Sequence, residues 1–414
     1  MKGRVGLLVA ALVAVLAACS TAPRTPPSSP SSTPVTPATS AATPTAGPSP
    51  TPAPQPPREP IPSFVTAQGR DFLVDGAPFR FVGVNIYDAA ATERYSCDPA
   101  LRMSPDELEA TMRTLHDSYG VSVVRFWAYQ TYTASGQDWS GVDRVIDIAR
   151  RVGIRLLPVL EDGPGYCTTM AEAVPKSLYQ DDTWFTDGYR AQYGTAPMSY
   201  RDYAKVVAEH YRDEPTILGW SLMNEADTSA RDGTGRSVLV DFARDMGRVV
   251  ASVDANHLIT LGTQSNGARG ASGLDFADVY ALPELDFTEV HDWEPWGDRA
   301  DPLPGGIGGR PPAPDDPACE TVEAPVACSF ALSARLDKPL IVGEAGIGAT
   351  DPGARAVRAE QLAAKMRAAL DAGAAGYLLW RVTRTHEDIH DITLNSHDPV
   401  LTVLGDIASG LADD

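Results

Sequence analysis

Two glutamates sit where short apolar runs end: Glu225 closes Trp220-Ser221-Leu222-Met223-Asn224-Glu225, and Glu344 lies in Val342-Gly343-Glu344-Ala345-Gly346. A carboxyl group directly after a run that must be buried is not an ordinary solvated surface charge, and a pair of them suits the cleavage of a glycosidic bond. One carboxylic acid protonates the departing oxygen while the other carboxylate attacks the anomeric carbon, and a separation of about 5–5.5 Å marks double displacement with retention. Asn224, beside Glu225, is suited to hold a sugar 2-hydroxyl, a contact that strengthens in the transition state. Arg125, in Arg125-Phe126-Trp127, and His291, in Val290-His291-Asp292-Trp293, are the charged partners expected to keep Glu344 ionised while Glu225 stays protonated. Trp380, Trp127 and Trp293 offer flat faces for sugar rings. Proton transfer and nucleophilic attack are both carried by carboxyl groups, so the expectation is no cofactor and no metal.

Such residues need a scaffold that brings distant segments to one mouth. Beyond Ile61, short β-branched apolar runs alternate with longer helical patterns, which is the signature of βαβ units around a parallel sheet buried on both faces. A small hairpin comes first, Phe72-Leu73-Val74, the turn Asp75-Gly76, then Phe79 onward, and is expected to plug the bottom of the sheet. The strand candidates are Phe79–Asn85, Val121–Trp127, Ile154–Leu160, Ile217–Met223, Leu258–Gly262, Phe287–His291, Pro339–Gly343 and Gly376–Trp380. Helices are expected from a cap at Ser104-Pro105-Asp106-Glu107, over Val142–Val152 with Gly153 as the stop, and over Tyr200–Arg212, Ser237–Val253 and Arg355–Ala372. Eight strands with intervening helices predict an α/β fold, a (β/α)₈ TIM barrel, in which catalytic side chains stand at the C-terminal strand ends. A doubly wound open sheet is disfavoured because no Gly-rich phosphate loop follows the first strand.

The first sixty residues do not belong to that barrel. Residues 1–18 begin with Lys2 and Arg4, continue as an apolar run and end Leu16-Ala17-Ala18 before Cys19, the pattern of a signal peptide. The ending resembles a bacterial lipobox, which implies cleavage before Cys19, lipidation of its sulfur and tethering to the outer face of the cell membrane, or secretion if the anchor is absent. Residues 19–60 turn to Pro, Ser, Thr and Ala and bury too little apolar surface to offset ordering, so they are expected to form an extended spacer before a domain at 61–414. The formal net charge is −20, and residues 1–60 hold Lys2, Arg4, Arg24 and Arg58 against Glu59, so the acidic excess lies in the domain. That charge disfavours nucleic acid and anionic glycans and suits a neutral β-linked polysaccharide. With Cys19 set aside, four cysteines remain in an oxidising compartment. Spacing alone does not fix their pairing; the expected one joins Cys319 to Cys328, closing a local loop, and Cys97 to Cys167, linking loops after successive early strands. A tethered monomer is the default.

Over about residues 63–410 the chain resembles glycoside hydrolase family five of the clan-A barrels. The resemblance is carried by the two glutamate motifs, by Phe64-Val65-Thr66 with Phe79-Arg80-Phe81-Val82-Gly83-Val84-Asn85-Ile86-Tyr87, and by Arg125-Phe126-Trp127, the last two being similar to the β-mannanase branch. It implies Glu225 as acid/base and Glu344 as nucleophile, with Arg125, Asn224, His291 and Trp380 as neighbours, and mannan as the first choice of substrate. A β-1,4-glucanase and an exo-acting β-glycosidase are the alternatives, the latter because insertions at Tyr166–Ala196 and Glu294–Val326 would block one end of a groove. Three positions depart from the family pattern: Leu160-Glu161-Asp162 where many members have His, Trp293 where a Tyr is usual, and Ala226 where a Pro follows the acid/base. A non-catalytic carbohydrate-binding barrel is disfavoured by both glutamates standing with Asn224 and Arg125. His386-Glu387-Asp388-Ile389-His390 matches the zinc-protease pattern, but it is followed by a run poor in helix formers and is expected to be a loop beside the cleft.

Overall fold

The computed structural model describes residues 61–162, 167, 182–192, 196–265, 267–293, 295–296, 299–300 and 313–413. The expected leader, Cys19 and the spacer lie outside the described residues, as do parts of both insertions.

The chain opens on an antiparallel three-stranded sheet, β1 (Val65–Gln68), β2 (Asp71–Val74) and β3 (Ala77–Pro78). Asp75 and Gly76 turn with positive φ of 52° and 79°, the geometry that joins tightly twisted antiparallel strands and that Gly adopts without cost. The expected hairpin is therefore present with one strand more, because Val65–Gln68 pairs with Asp71–Val74. Phe72 is buried against Phe81 and Phe287 at ring distances of 6.4 and 5.3 Å. With Val65 it belongs to a core cluster shared with Val123, Leu157, Leu218 and Ile341, so the small sheet plugs the N-terminal end of the barrel.

Eight parallel strands follow: β4 (Phe81–Asn85), β5 (Val123–Trp127), β6 (Arg155–Val159), β7 (Gly219–Ser221), β8 (Leu258–Thr260), β9 (Thr288–Trp293), then, after the two-residue β10 (Pro295–Trp296) and β11 (Arg299–Ala300), β12 (Leu340–Gly346) and β13 (Gly376–Leu379). They pair in the order β8-β7-β6-β5-β4-β13-β12-β9. The remaining seam, β8 against β9, is bridged by Asp286 N donating to Ile259 O (2.7 Å) and His291 N donating to Gln264 O (3.1 Å). Between strands run α1 (Pro105–Tyr119), α2 (Ser140–Val152), α3 (Asp182–Thr186), α4 (Tyr200–Tyr211), α5 (Leu239–Ala251), α6 (Leu274–Tyr280), α7 (Val326–Leu336) and α8 (Pro352–Asp371), with α9 (Pro399–Asp413) last. The (β/α)₈ barrel read from periodicity is the fold.

Local chemistry explains the element ends. At α1 the Glu107 amide donates to the Ser104 hydroxyl (3.3 Å) and the Glu107 carboxylate accepts from the Ser104 amide (2.8 Å), the reciprocal cap expected from sequence. Helix α8 starts three residues earlier than expected because Asp351 caps it, accepting from the Ala354 amide at 3.0 Å, with Pro352 at the first position. At the far end of α6, Lys338 Nζ donates to the carbonyls of Tyr280, Leu282 and Leu285 at 2.7, 2.6 and 2.6 Å, satisfying acceptors that the helix leaves unpaired. Replacing Lys338 by Met is expected to cost about 2–3 kcal/mol, since half-buried carbonyls lose a charged donor; urea unfolding of the variant checks this. The two disulfides are the expected ones, Cys97 with Cys167 and Cys319 with Cys328.

Candidate active site

Alternation along each strand decides which side chains reach the barrel axis. On β5, Val124 and Phe126 pack outward against the helices, whereas Val123, Arg125 and Trp127 line the interior from bottom to top. Arg125 is fully buried and becomes the hub. Its Nε donates to Glu289 Oε1 (3.0 Å), Nη1 to Glu344 Oε1 (2.6 Å) and Asn85 Oδ1 (3.1 Å), and Nη2 to Asn224 Oδ1 (2.8 Å). Asn224 Nδ2 in turn donates to Asp162 Oδ1 at 2.9 Å, so its amide is held from both ends. Four strands or strand ends are thereby tied to one guanidinium.

The two glutamates are presented differently. Glu225 lies beyond the end of β7 on a backbone turned to φ 51°, a left-handed conformation that costs a non-glycine residue roughly 1–2 kcal/mol and sends its side chain over the mouth. Glu344 lies inside β12, where the pairing with β9 slips between Val342 and Glu344. Placing it after the end of a strand, as sequence suggested, is therefore corrected: a bulge at Gly343 turns an in-strand residue toward the axis. The nearest oxygens of Glu225 and Glu344 and a ring nitrogen of His291 lie within 4.8 Å of one another. His291 Nδ1 bonds Glu225 Oε1 at 2.8 Å and stands 3.5 Å from Glu344 Oε2.

The electrostatics follow from burial and proximity. Burial pushes the Glu344 carboxyl above its ordinary value, and Glu225 adds to this; His291 and Arg125 pull against it without reversing it. His291 is completely buried, which alone would discharge it, yet Glu344, Glu225 and Glu289 raise its pKa to about 9. Burial likewise opposes the charge on Glu289, but Arg125, then His291 and Ser221, bring it below the usual range. The His291 shift makes a prediction. Its folded value lies above the unfolded 6.5, so the stability it contributes is complete below 6.5 and is lost as pH rises through about 9. Thermal unfolding from pH 6 to 10 is expected to show a fall in Tm across that window which a His291→Asn variant lacks.

These groups border a cleft of about 570 Å³ at the C-terminal mouth of the barrel, with Asn224, Glu225, Glu344, Trp127, Trp293 and Trp380 in its wall. Trp380 stacks on Tyr87 (5.6 Å), tilts against Trp127 (5.7 Å) and meets Trp293 edge-on (5.8 Å). Trp127 is only 4% exposed, its faces covered by Tyr129 at 5.1 Å, by Tyr87 and by the Arg125 guanidinium at 5.0 Å, so it mainly supports the aromatic wall. Arg381 enters the wall with its Nε on Asp391 (2.7 Å) and its guanidinium over the Tyr87 ring (5.1 Å).

The site thus unites every residue singled out from sequence in the barrel, and adds others. Asn85, Asp162, Ser221 and Glu289 complete the hydrogen-bond network around Arg125 and Asn224. Glu289 had a legible signal, a lone acid in the buried run Phe287-Thr288-Glu289-Val290, and the alternation of β9 puts it on the same face as His291. Asp292, one residue on, faces away and pairs with Lys365 and with the Tyr377 hydroxyl at 3.0 Å. The His386–His390 segment is a loop, as expected, with no helix to align its histidines; His390 bonds Asp388 at 2.8 Å and meets the Trp293 ring edge-on. Among the described residues the group able to surround a cation is Glu225, His291 and Glu344 themselves, where Arg125 already supplies a positive charge.

The family model described as Cellulase (glycosyl hydrolase family 5) matches residues 76–385. Mannan endo-1,4-beta-mannosidase 1 of Oryza sativa subsp. japonica is 28% identical over 328 residues, 70% of this chain and 70% of its own length. Mannan endo-1,4-beta-mannosidase 3 of Arabidopsis thaliana is 25% identical over 394 residues, 83% of this chain and 86% of its own. Among solved structures, the endo-1,4-beta-mannanase from Rhizomucor miehei superposes with a TM-score of 0.60 at 20% identity, covering 84% of this chain and all (100%) of that one, a likeness of fold. With the family model matched over well more than half of its length, and with paired carboxyl groups at the barrel mouth, the chain belongs to glycosyl hydrolase family 5 and is an O-glycosyl hydrolase.

Proposed function

We propose that the chain is a retaining endo-β-1,4-mannanase in which Glu344 is the nucleophile and Glu225 the acid/base. The observation that carries the reading is the approach of the Glu225 and Glu344 carboxyl oxygens to within 4.8 Å. That gap is too small for a water to attack from the far side of the sugar, and suits direct attack by a carboxylate. Glu344, gripped by Arg125 below, forms a bond to the anomeric carbon while the C–O bond to the leaving sugar breaks; Glu225 delivers its proton to that oxygen. Water then enters, Glu225 removes its proton, and the glycosyl ester on Glu344 is cleaved. Asn224 accepts from Arg125 through Oδ1 and gives one N–H to Asp162, which leaves its other N–H for the 2-hydroxyl. Trp380 is the floor on which the ring lies.

Mannan as the polymer is supported by the names of the relatives, and a neutral substrate by the acidic charge of the domain. We further infer that the mature chain is lipid-anchored through Cys19 on the outer face of the cell membrane, the Pro/Ser/Thr-rich spacer giving the barrel reach; the support is the sequence of residues 1–60. The test is reducing-sugar release from soluble β-mannan, β-glucan and xylan, with NMR of the first anomer formed. Mannan cleavage yielding β-anomer is expected. Inverted product would sink the assignment of Glu344, and preference for glucan would move the substrate to the alternative its family description suggests.

A further inference from the structure

We propose that Glu289 is a positioning residue of the hydrolytic site: from beneath the cleft it serves as the shared counter-ion of Arg125 and His291 and thereby sets how strongly the two cations hold Glu344. This rests on the assignment of Glu344 as nucleophile. Glu289 is completely buried and is not part of the cleft wall, so it does not meet substrate. Its Oε1 accepts from Arg125 Nε at 3.0 Å and lies 3.6 Å from His291 Nε2, while its Oε2 accepts from the Ser221 hydroxyl at 2.8 Å.

The arrangement has two sides. Above, Arg125 and His291 both face Glu344, at 2.6 and 3.5 Å, and His291 also bonds Glu225. Below, the edge of each cation turned away from the catalytic pair faces Glu289. His291 Nε2 is buried without a hydrogen-bond partner, and Glu289 is the carboxylate toward which it points. The groups facing Glu289 are Arg125 from β5, His291 on its own strand, Ser221 from β7 and Tyr280 from α6, whose hydroxyl accepts from the Glu289 amide at 3.3 Å. Those facing His291 are Glu225, Glu344 and Glu289.

Room for this carboxylate is made at Gly343. A Cβ there would stand 2.2 Å from Glu289 Oε1, so the residue immediately before the nucleophile must lack a side chain for Glu289 to reach Arg125. The bulge that turns Glu344 inward and the space that admits Glu289 are therefore the same feature of β12. Without the Glu289 charge, Arg125 and His291 have no anions but the catalytic carboxyls. Both would draw more tightly on Glu344, and a nucleophile more fully paired in the ground state is a weaker one; His291 would also surrender its proton more readily.

Glu289→Gln tests the charge alone, because an amide can accept from Arg125 Nε and donate to the Ser221 oxygen in the same place. In the full chain, kcat is expected to fall roughly tenfold or more, the equivalent of one pKa unit of interaction, with KM within about twofold and the alkaline limb of the pH profile displaced downward by about one unit. Imidazole NMR of resting wild type and variant should show the same displacement for His291 without any substrate. A folded Glu289→Gln protein with wild-type kcat, pH limb and His291 titration overturns the proposal. Should the Gln variant fail to fold, Glu289→Asp decides: withdrawing the carboxylate by one methylene is expected to lower kcat and shift the limb partway, and wild-type values overturn it. Absence of hydrolysis by the wild type on every β-glycan would instead count against the functional reading, which the NMR titration does not depend on.

Discussion

Glu344→Gln is expected to lower glycan hydrolysis by at least about 10⁴-fold while leaving oligosaccharide binding within a few-fold of wild type. The amide fills the same volume and can still accept from Arg125 Nη1, which reaches Glu344 at 2.6 Å, so the cleft keeps its shape. It cannot form the glycosyl ester. Glu225→Gln is expected to fail differently. Its side chain, largely buried and bonded to His291 at 2.8 Å, is the proposed proton donor to the leaving group, so aryl glycosides that depart without protonation should still glycosylate Glu344 and then stall. Steady-state rates on polymer and on an activated aryl glycoside, beside calorimetric binding of an oligosaccharide, separate the two. Activity surviving in both variants would remove the pair from the mechanism.

The second large effect concerns the hub. Arg125→Met is expected to lower stability at neutral pH by about 3–5 kcal/mol and to abolish turnover, because two buried carboxylates, Glu289 and Glu344, would lose the guanidinium that pairs with both and keep only the more distant His291. The pH dependence gives the sign. Arg125 holds the folded-state pKa of Glu289 below its ordinary value, so that contribution is present above the ordinary 4.5 and is lost as pH falls through the depressed one. The deficit of the variant should therefore shrink in acid, where the orphaned carboxyls protonate and cease to be buried charges. Urea unfolding of both proteins at neutral pH and near pH 4 measures it; an equal deficit at both pH values would mean that Arg125 acts by packing alone.

Much of this molecule is legible in the linear chain because the relevant forces are local. Ser104-Pro105-Asp106-Glu107 caps a helix by contacts three residues apart, and Asp75-Gly76 turns a hairpin through its own backbone preferences. Alternating apolar strands and amphipathic helices leave few arrangements that bury both faces of a parallel sheet, and the barrel is the one with no open edge. Glu225 and Glu344 are conspicuous since a carboxyl at the end of a buried run must have a reason to be there. Cys319 and Cys328 close the local loop expected of them, 9 residues apart.

What the tertiary structure alone decided is the phase and the partnership of the charges. On β9 both faces are buried, one by the barrel interior and one by the helices, so alternation says that Glu289 shares the face of His291 and that Asp292 takes the other, without saying which charge each of them meets. The fold puts Glu289 under Arg125 and sends Asp292 to Lys365. Trp127 reads like a sugar platform until Tyr87, Tyr129 and Arg125 are seen to cover it. The slip at Gly343 that aims Glu344 depends on β9 lying alongside, and Arg125 gathers acceptors from residues 40 to 219 positions away. The barrel, its caps and the two strand-end glutamates were readable along the chain, since these arise from periodicity and neighbouring residues; the network of charges around them was decided in three dimensions, because electrostatic energy depends on distances through space and on exclusion of water, neither of which is written along the chain.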